Sequence, residues 1–75
     1  MLHNRDDKFL KKLGAKIRAL RKAQGMTQLA LAVECNNYAE QIGRIERGEL
    51  NVSICTLKMI AKALKIKLSE LVNVD

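Results

Sequence analysis

TQLALAVECNNYAEQIGRIERG, residues 27–48, is the stretch whose pattern decides how this chain folds. Thr27 is a good N-cap, and Gln28 to about Cys35 follows as a short helix with Leu31, Ala32 and Cys35 sharing its inner face. Ala30 stands at the third helical position, so the reciprocal capping box is missing. Asn36 and Asn37 then make a turn, asparagine being among the commonest non-glycine residues in the left-handed conformation such a turn needs. A second helix runs from about Tyr38 to Arg47 with Ile42 and Ile45 inward, and Gly48 ends it.

Upstream, Phe9 or Leu10, Leu13, Ile17 and Leu20 recur at helical spacing between Asp6 and Gln24, with lysines and arginines on the other faces. Asp6 and Asp7 suit the positive N-terminal end of that helix, Arg21 and Lys22 its negative end, and Gly25 the left-handed residue after it. Downstream, after a loop over Glu49–Val52, Ser53 caps a fourth helix through about Leu64 that is expected to bury Ile54, Leu57, Ile60, Ala61 and Leu64. A fifth, short helix around Leu68–Val72 closes the domain. The spacing thus predicts an all-α chain: residues 1–7 as a frayed extension, 8–72 as one compact five-helix domain and 73–75 as a tail.

Composition agrees, with no proline and no β-branched alternation over a strand's length. At 75 residues, of which 48% are apolar, there is enough for one modest core, and a separate effector domain is not expected. The net charge of +6 favours an anionic partner, but it is unevenly spread. Residues 1–25 carry eight Lys/Arg against two Asp, whereas 26–51 carry two Arg against four Glu, so the deciding segment is itself slightly acidic. Charge alone does not locate a binding surface here.

No apolar run approaches the roughly 20 residues that cross a bilayer, and MLHNRDDKF lacks the apolar stretch of a signal peptide, so a cytoplasmic protein without membrane association is expected. Cys35 and Cys55 lack CxxC spacing and His3 is the only histidine, which leaves no four-ligand metal set. Both cysteines read as reduced packing residues; a redox role for Cys55, near a helix N-terminus, is the alternative. No nucleophile–base set, convincing carboxylate pair or glycine-rich phosphate loop appears, so neither an enzyme, a cofactor nor a small-molecule ligand is implied.

Two short helices joined by a tight turn, the second with polar side chains outward, form a geometry that lets one helix enter a DNA major groove. The residues carry a further resemblance: TQ at 27–28, LA at 31–32, Ile42 fourteen positions after Gln28, RIERG at 44–48 and TLKMIAKAL at 56–64. Together they resemble the phage-repressor and Cro-like helix-turn-helix family of bacterial transcription regulators, over about residues 8–72. The resemblance implies a lambda-repressor-like fold of five helices, the second crossing the DNA backbone and the third reading the major groove of double-stranded DNA.

Carried across by position, the resemblance makes Tyr38, Ala39, Glu40, Gln41 and Arg44 candidates for contact with base edges. Arg44 can fork onto guanine O6 and N7, Gln41 can pair with adenine, Glu40 can accept from cytosine N4 and Ala39 can touch a thymine methyl. Glu40 and Arg44, four apart, could instead pair with each other. Gln28 is implied to touch a phosphate and brace a side chain of the reading helix, while Arg47 and Asn51 are candidate phosphate contacts that fix register. The alternative for Arg47 is a solvated arginine at a helix end. Arg21 and Glu46 match positions that form an internal ion pair between the first and third helices. Asn36 and Lys65 replace common glycines, Asn37 a core residue and Lys67 a small N-cap, which puts the turn and the last helix in question.

A single domain of this size covers few base pairs, so the reading that follows is a regulator, most simply a repressor, binding a palindromic or repeated operator as a homodimer. Ile66, Leu68, Leu71, Val72 and Val74 form the candidate dimer surface. A restriction–modification controller and the antitoxin of a toxin pair fit as well. Leu29 and Val33, four apart where the family is polar, read first as satellite core packing; the acidic balance and a contact through these two residues instead suggest a protein-interaction module on the same scaffold, the alternative outside DNA binding. A membrane-surface peptide is disfavoured because the apolar stripe of the first helix is needed for the core.

Overall fold

The computed structural model describes residues 5–74. Five helices follow one another: α1 (Asp7–Ala23), α2 (Gln28–Glu34), α3 (Ala39–Glu46), α4 (Ile54–Ala63) and α5 (Leu68–Leu71), with no strand among the described residues. His3 and Asp75, which fall in the expected extension and tail, lie outside the described residues.

Three of the helices start on a side-chain cap. Asp6 accepts from the N–H of Phe9 at 3.0 Å, Thr27 from Ala30 at 3.0 Å and Ser53 from Thr56 at 3.2 Å, each satisfying a donor that the helix itself cannot. Tyr38 and Lys67 cap α3 and α5 without a side-chain bond. Before α3 the carboxamide oxygen of Asn37 instead accepts from the Tyr38 N–H at 2.7 Å, so the asparagine in a usual core position serves the turn.

The first four helices end alike. Met26, Asn37, Glu49 and Ile66 each donate their N–H to the carbonyl five residues back, and the preceding residue donates to the carbonyl three back, as in a Schellman motif. That motif needs one residue at positive φ: Gly25 (69°), Asn36 (53°), Gly48 (74°) and Lys65 (61°) supply it. Glycine fits without cost; asparagine tolerates the conformation; lysine is strained in it.

The core draws on every helix, from Leu13 and Ile17 through Leu31, Ala32 and Cys35, Ile42 and Ile45, to Leu57, Ile60, Ala61, Leu64 and Leu71. Two sequence expectations are corrected. Ile54 is 63% exposed, because the first turn of α4 extends past the face that Leu57, Ile60 and Leu64 bury. Leu71 is fully buried: α5 packs on α1 and α4 and spends this side chain on closing the core, which leaves it no surface for a dimer. Ile66, Leu68 and Val72 pack half-buried against the same core and Val74 is also partly exposed. Lys16 ties α5 to α1, its ammonium donating to the carbonyls of Glu70 and Asn73, and Gln24 donates to Leu64 O at the end of α4 at 2.7 Å. Among the described residues no helix is long and apolar enough to cross a membrane.

Candidate nucleic-acid interface

α3 is held from beneath by backbone approach and by charge. Gly14 lies where α1 crosses the end of α3: a Cβ there would stand 2.5 Å from Glu46 O and closer still to Ile45 O. Only a residue without a side chain permits that approach. In the space so defined, Arg21 forks onto Glu46, Nε to Oε2 at 2.6 Å and Nη2 to Oε1 at 3.0 Å, and its Nη1 donates to Met26 O at 2.8 Å. Both side chains are buried. The hydrogen bond to Glu46 raises the Arg21 pKa above its ordinary value, against burial, which lowers it. Gln28, at the start of α2, donates from Nε2 to Glu46 Oε1 at 3.2 Å, and a Cβ on Gly43 would stand 3.2 Å from Arg47 Nη1 and in ordinary contact, at 3.4 Å, with that carboxamide. Three helices therefore meet at one carboxylate.

With Ile42, Gly43, Ile45 and Glu46 turned inward, α3 offers its remaining face to solvent. Glu40, Gln41 and Arg44 are exposed along it, Tyr38 stands 78% exposed at its start and Ala39 is half-buried beside them. Tyr38, Glu40, Gln41, Arg44 and Leu50 line an open depression of about 360 Å³. Arg47 and Asn51 are exposed at and beyond the far end of the helix. Gln28 sits half-buried behind this face, its side chain engaged with Glu46.

Arg44 pairs with Glu49, not with Glu40, among the described residues: its Nε is 3.6 Å from Glu49 Oε1. Arg47 makes the closer contact, Nε to Glu49 Oε2 at 2.7 Å. Hydrogen bonding from Arg47 is the main cause that holds the Glu49 carboxyl below its ordinary range, and the same bond raises the Arg47 pKa. Arg5 adds a third guanidinium, donating to Glu49 O at 2.9 Å.

Residues 17–71, which include this short helix with its outward polar face and the helix that braces it, match the helix-turn-helix family. The chain belongs to the helix-turn-helix family. This helix-turn-helix chain is 38% identical over 61 residues to the immunity repressor of Bacillus phage phi105, covering 81% of its own length and 42% of that protein's. It thus spans less than half of the phage repressor. Among solved structures it is similar to the restriction–modification controller C.AhdI of Aeromonas hydrophila, at 39% identity and a TM-score of 0.81 over 83% of this chain and 94% of that one. It is also similar to the P22 c2 repressor solved with a synthetic operator, at 30% identity and a TM-score of 0.78 over 84% and 96%.

Sequence reasoning did not single out three residues that shape this helix-turn-helix surface. Gly14 carried a signal, since a glycine inside a helix costs about 1 kcal/mol and asks for a packing reason. Gly43 carried the same signal. Glu49 carried none, because its two arginines reach it across a left-handed turn that no periodicity describes.

Proposed function

We propose that this chain is a transcription regulator that binds specific sites on double-stranded DNA as a homodimer, with α3 in the major groove. The observation that carries this reading is the division of α3 into a locked inner face, through Glu46, and an outer face of Glu40, Gln41 and Arg44. A rigid helix presenting an acceptor, a carboxamide and a guanidinium in sequence has the chemistry that distinguishes base pairs. Tyr38 and Ala39 belong to the same reading surface, and Gln28, Arg47 and Asn51 position it on phosphates. The family and its repressor and controller relatives support this reading over an enzyme. The regulator acts in the cytoplasm, and both repressor and controller roles fit it.

Dimerisation uses the apolar edge of the last helix, Ile66, Leu68, Val72 and Val74, without Leu71. Selection of bound duplexes from a random DNA pool tests the proposal as a whole: a two-fold site with half-sites about one helical turn apart is expected. Arg44→Ala is expected to relax selection at one position, whereas Arg47→Ala weakens all sequences alike and lowers the salt slope by about one. No enrichment at any salt, or a monomer in the ultracentrifuge at high micromolar concentration, speaks against DNA reading and dimerisation respectively. One observation favours a second reading, a protein-docking module: Leu29 and Val33 lie 63% and 70% exposed on α2. Failure to enrich DNA would favour it.

A further inference from the structure

The only two cations of residues 26–51, Arg44 and Arg47, are both engaged by one carboxylate, that of Glu49. A carboxylate offers a guanidinium the same planar pair of oxygens that a phosphate does. The Glu49 backbone is pinned on both sides: its N–H donates to Arg44 O at 2.9 Å and its carbonyl accepts from Arg5 at 2.9 Å. The loop is thus tied down through its backbone, while the carboxylate, about half exposed, is held through its contacts with the two arginines. Its pKa is held below the ordinary carboxylate range, chiefly by Arg47, so it is ionised at neutral pH.

We propose that Glu49 is an internal stand-in for DNA, occupying the base-reading Arg44 and the phosphate-contacting Arg47 in the free protein and having to be displaced when the duplex docks. This rests on the reading of α3 as a DNA reader. A duplex that satisfies both arginines replaces both contacts; one that satisfies a single arginine leaves the other tied to Glu49, with the carboxylate near the DNA backbone. Glu49 thus weakens binding to arbitrary sequence more than binding to the proper site, and it is a specificity-setting residue that need touch no base.

The test measures affinity for a random-sequence duplex across a salt series, using the full chain as wild type, Glu49→Gln, Glu34→Gln, Arg47→Ala and the double variant Glu49→Gln/Arg47→Ala. Glu34→Gln removes the same charge from the same acidic segment, at the exposed end of α2. Glu49→Gln is expected to bind about threefold to fivefold tighter, in proportion to a surface ion pair, with a log–log salt slope steeper by up to about 0.9. Glu34→Gln is expected to change little, and the greater part of the gain is expected to vanish when Arg47 is absent. Equal gains in Glu49→Gln and Glu34→Gln, or a gain that persists in full without Arg47, overturn the proposal and leave DNA reading intact. Salt-dependent binding absent from every protein overturns both.

Discussion

Arg21 and Glu46 lie 25 positions apart and meet through two parallel hydrogen bonds, with side chains 8% and 2% exposed. The pair joins the last turn of α1 to the last turn of α3, so the outward face of α3 is oriented relative to the body of the domain by a contact that solvent does not reach. Gln28 shares the same carboxylate, which extends the constraint to α2. A buried pair of this kind contributes little net stability compared with apolar residues of the same shape, but it is costly to break on one side.

Arg21→Ala is therefore expected to destabilise the domain by about 3–5 kcal/mol, because Glu46 is left buried with Gln28 as its one remaining side-chain partner among the described residues. A chain of 75 residues has a total stability of about 4–11 kcal/mol, so this variant stands near the limit of folding. Arg21→Lys keeps the charge but not the fork and is expected to lose less. The Arg21 pKa is raised, so its contribution is complete below the ordinary guanidinium value and is lost only as pH rises beyond it, in strong alkali. Urea unfolding at neutral pH measures both variants; a loss under about 1 kcal/mol for Arg21→Ala refutes a structural role for the pair.

Gly14→Ala pits helix propensity against packing. Alanine gains about 1 kcal/mol in a helix interior, yet its Cβ would meet the Glu46 carbonyl oxygen at 2.5 Å and the carbonyl carbon at 2.8 Å. Backbone atoms cannot swing away as a side chain end can, so α1 and α3 must separate. A net loss of about 1–3 kcal/mol is expected. Unchanged or increased thermal stability would show that α3 is not held at this distance.

The helices and most of their inner faces were legible in the sequence because apolar periodicity fixes the direction of a side chain around its helix. It does not fix whether another element reaches that turn. Ile54 follows the stripe of Leu57 and Ile60 but lies in an exposed first turn, while Leu71, placed by its apolar neighbours in a candidate dimer surface, is instead buried where α5 packs on α1 and α4. On the candidate site, the outward row Glu40, Gln41 and Arg44 follows from the inward positions of Ile42 and Ile45. The Arg44–Glu49–Arg47 cluster does not, since it depends on the turn at Gly48 folding the chain back beside its own helix.

Lys65→Gly is expected to stabilise the domain. Lys65 has φ of 61° at the end of α4, a conformation that costs an L-residue about 1–2 kcal/mol, and glycine removes that cost while losing up to about 1 kcal/mol of unfolded-chain entropy. The balance is a gain of about 0.5–1 kcal/mol, or roughly 2–8 °C in Tm for a domain of this size. The bonds that define the turn, Lys65 N–H to Lys62 O and Ile66 N–H to Ala61 O, involve only backbone and remain available. A fall in Tm would mean that the lysine side chain makes a compensating contact.

The two cysteines are expected to separate by kinetics. Cys35 is buried against the core at the end of α2, and Cys55 is exposed in the first turn of α4. Burial, reinforced by the negative charge of Glu34, raises the Cys35 thiol pKa, so the neutral thiol is favoured by folding. Its contribution is complete below the ordinary thiol value and fades as pH rises through the raised one. A thiol reagent at neutral pH should therefore modify the exposed Cys55 directly and Cys35 only when the core opens. In Cys55→Ser the remaining rate, divided by that in denaturant, gives the opening equilibrium around α2. If that ratio is close to one, α2 is not packed as described, and the bracing of Glu46 by Gln28 fails with it.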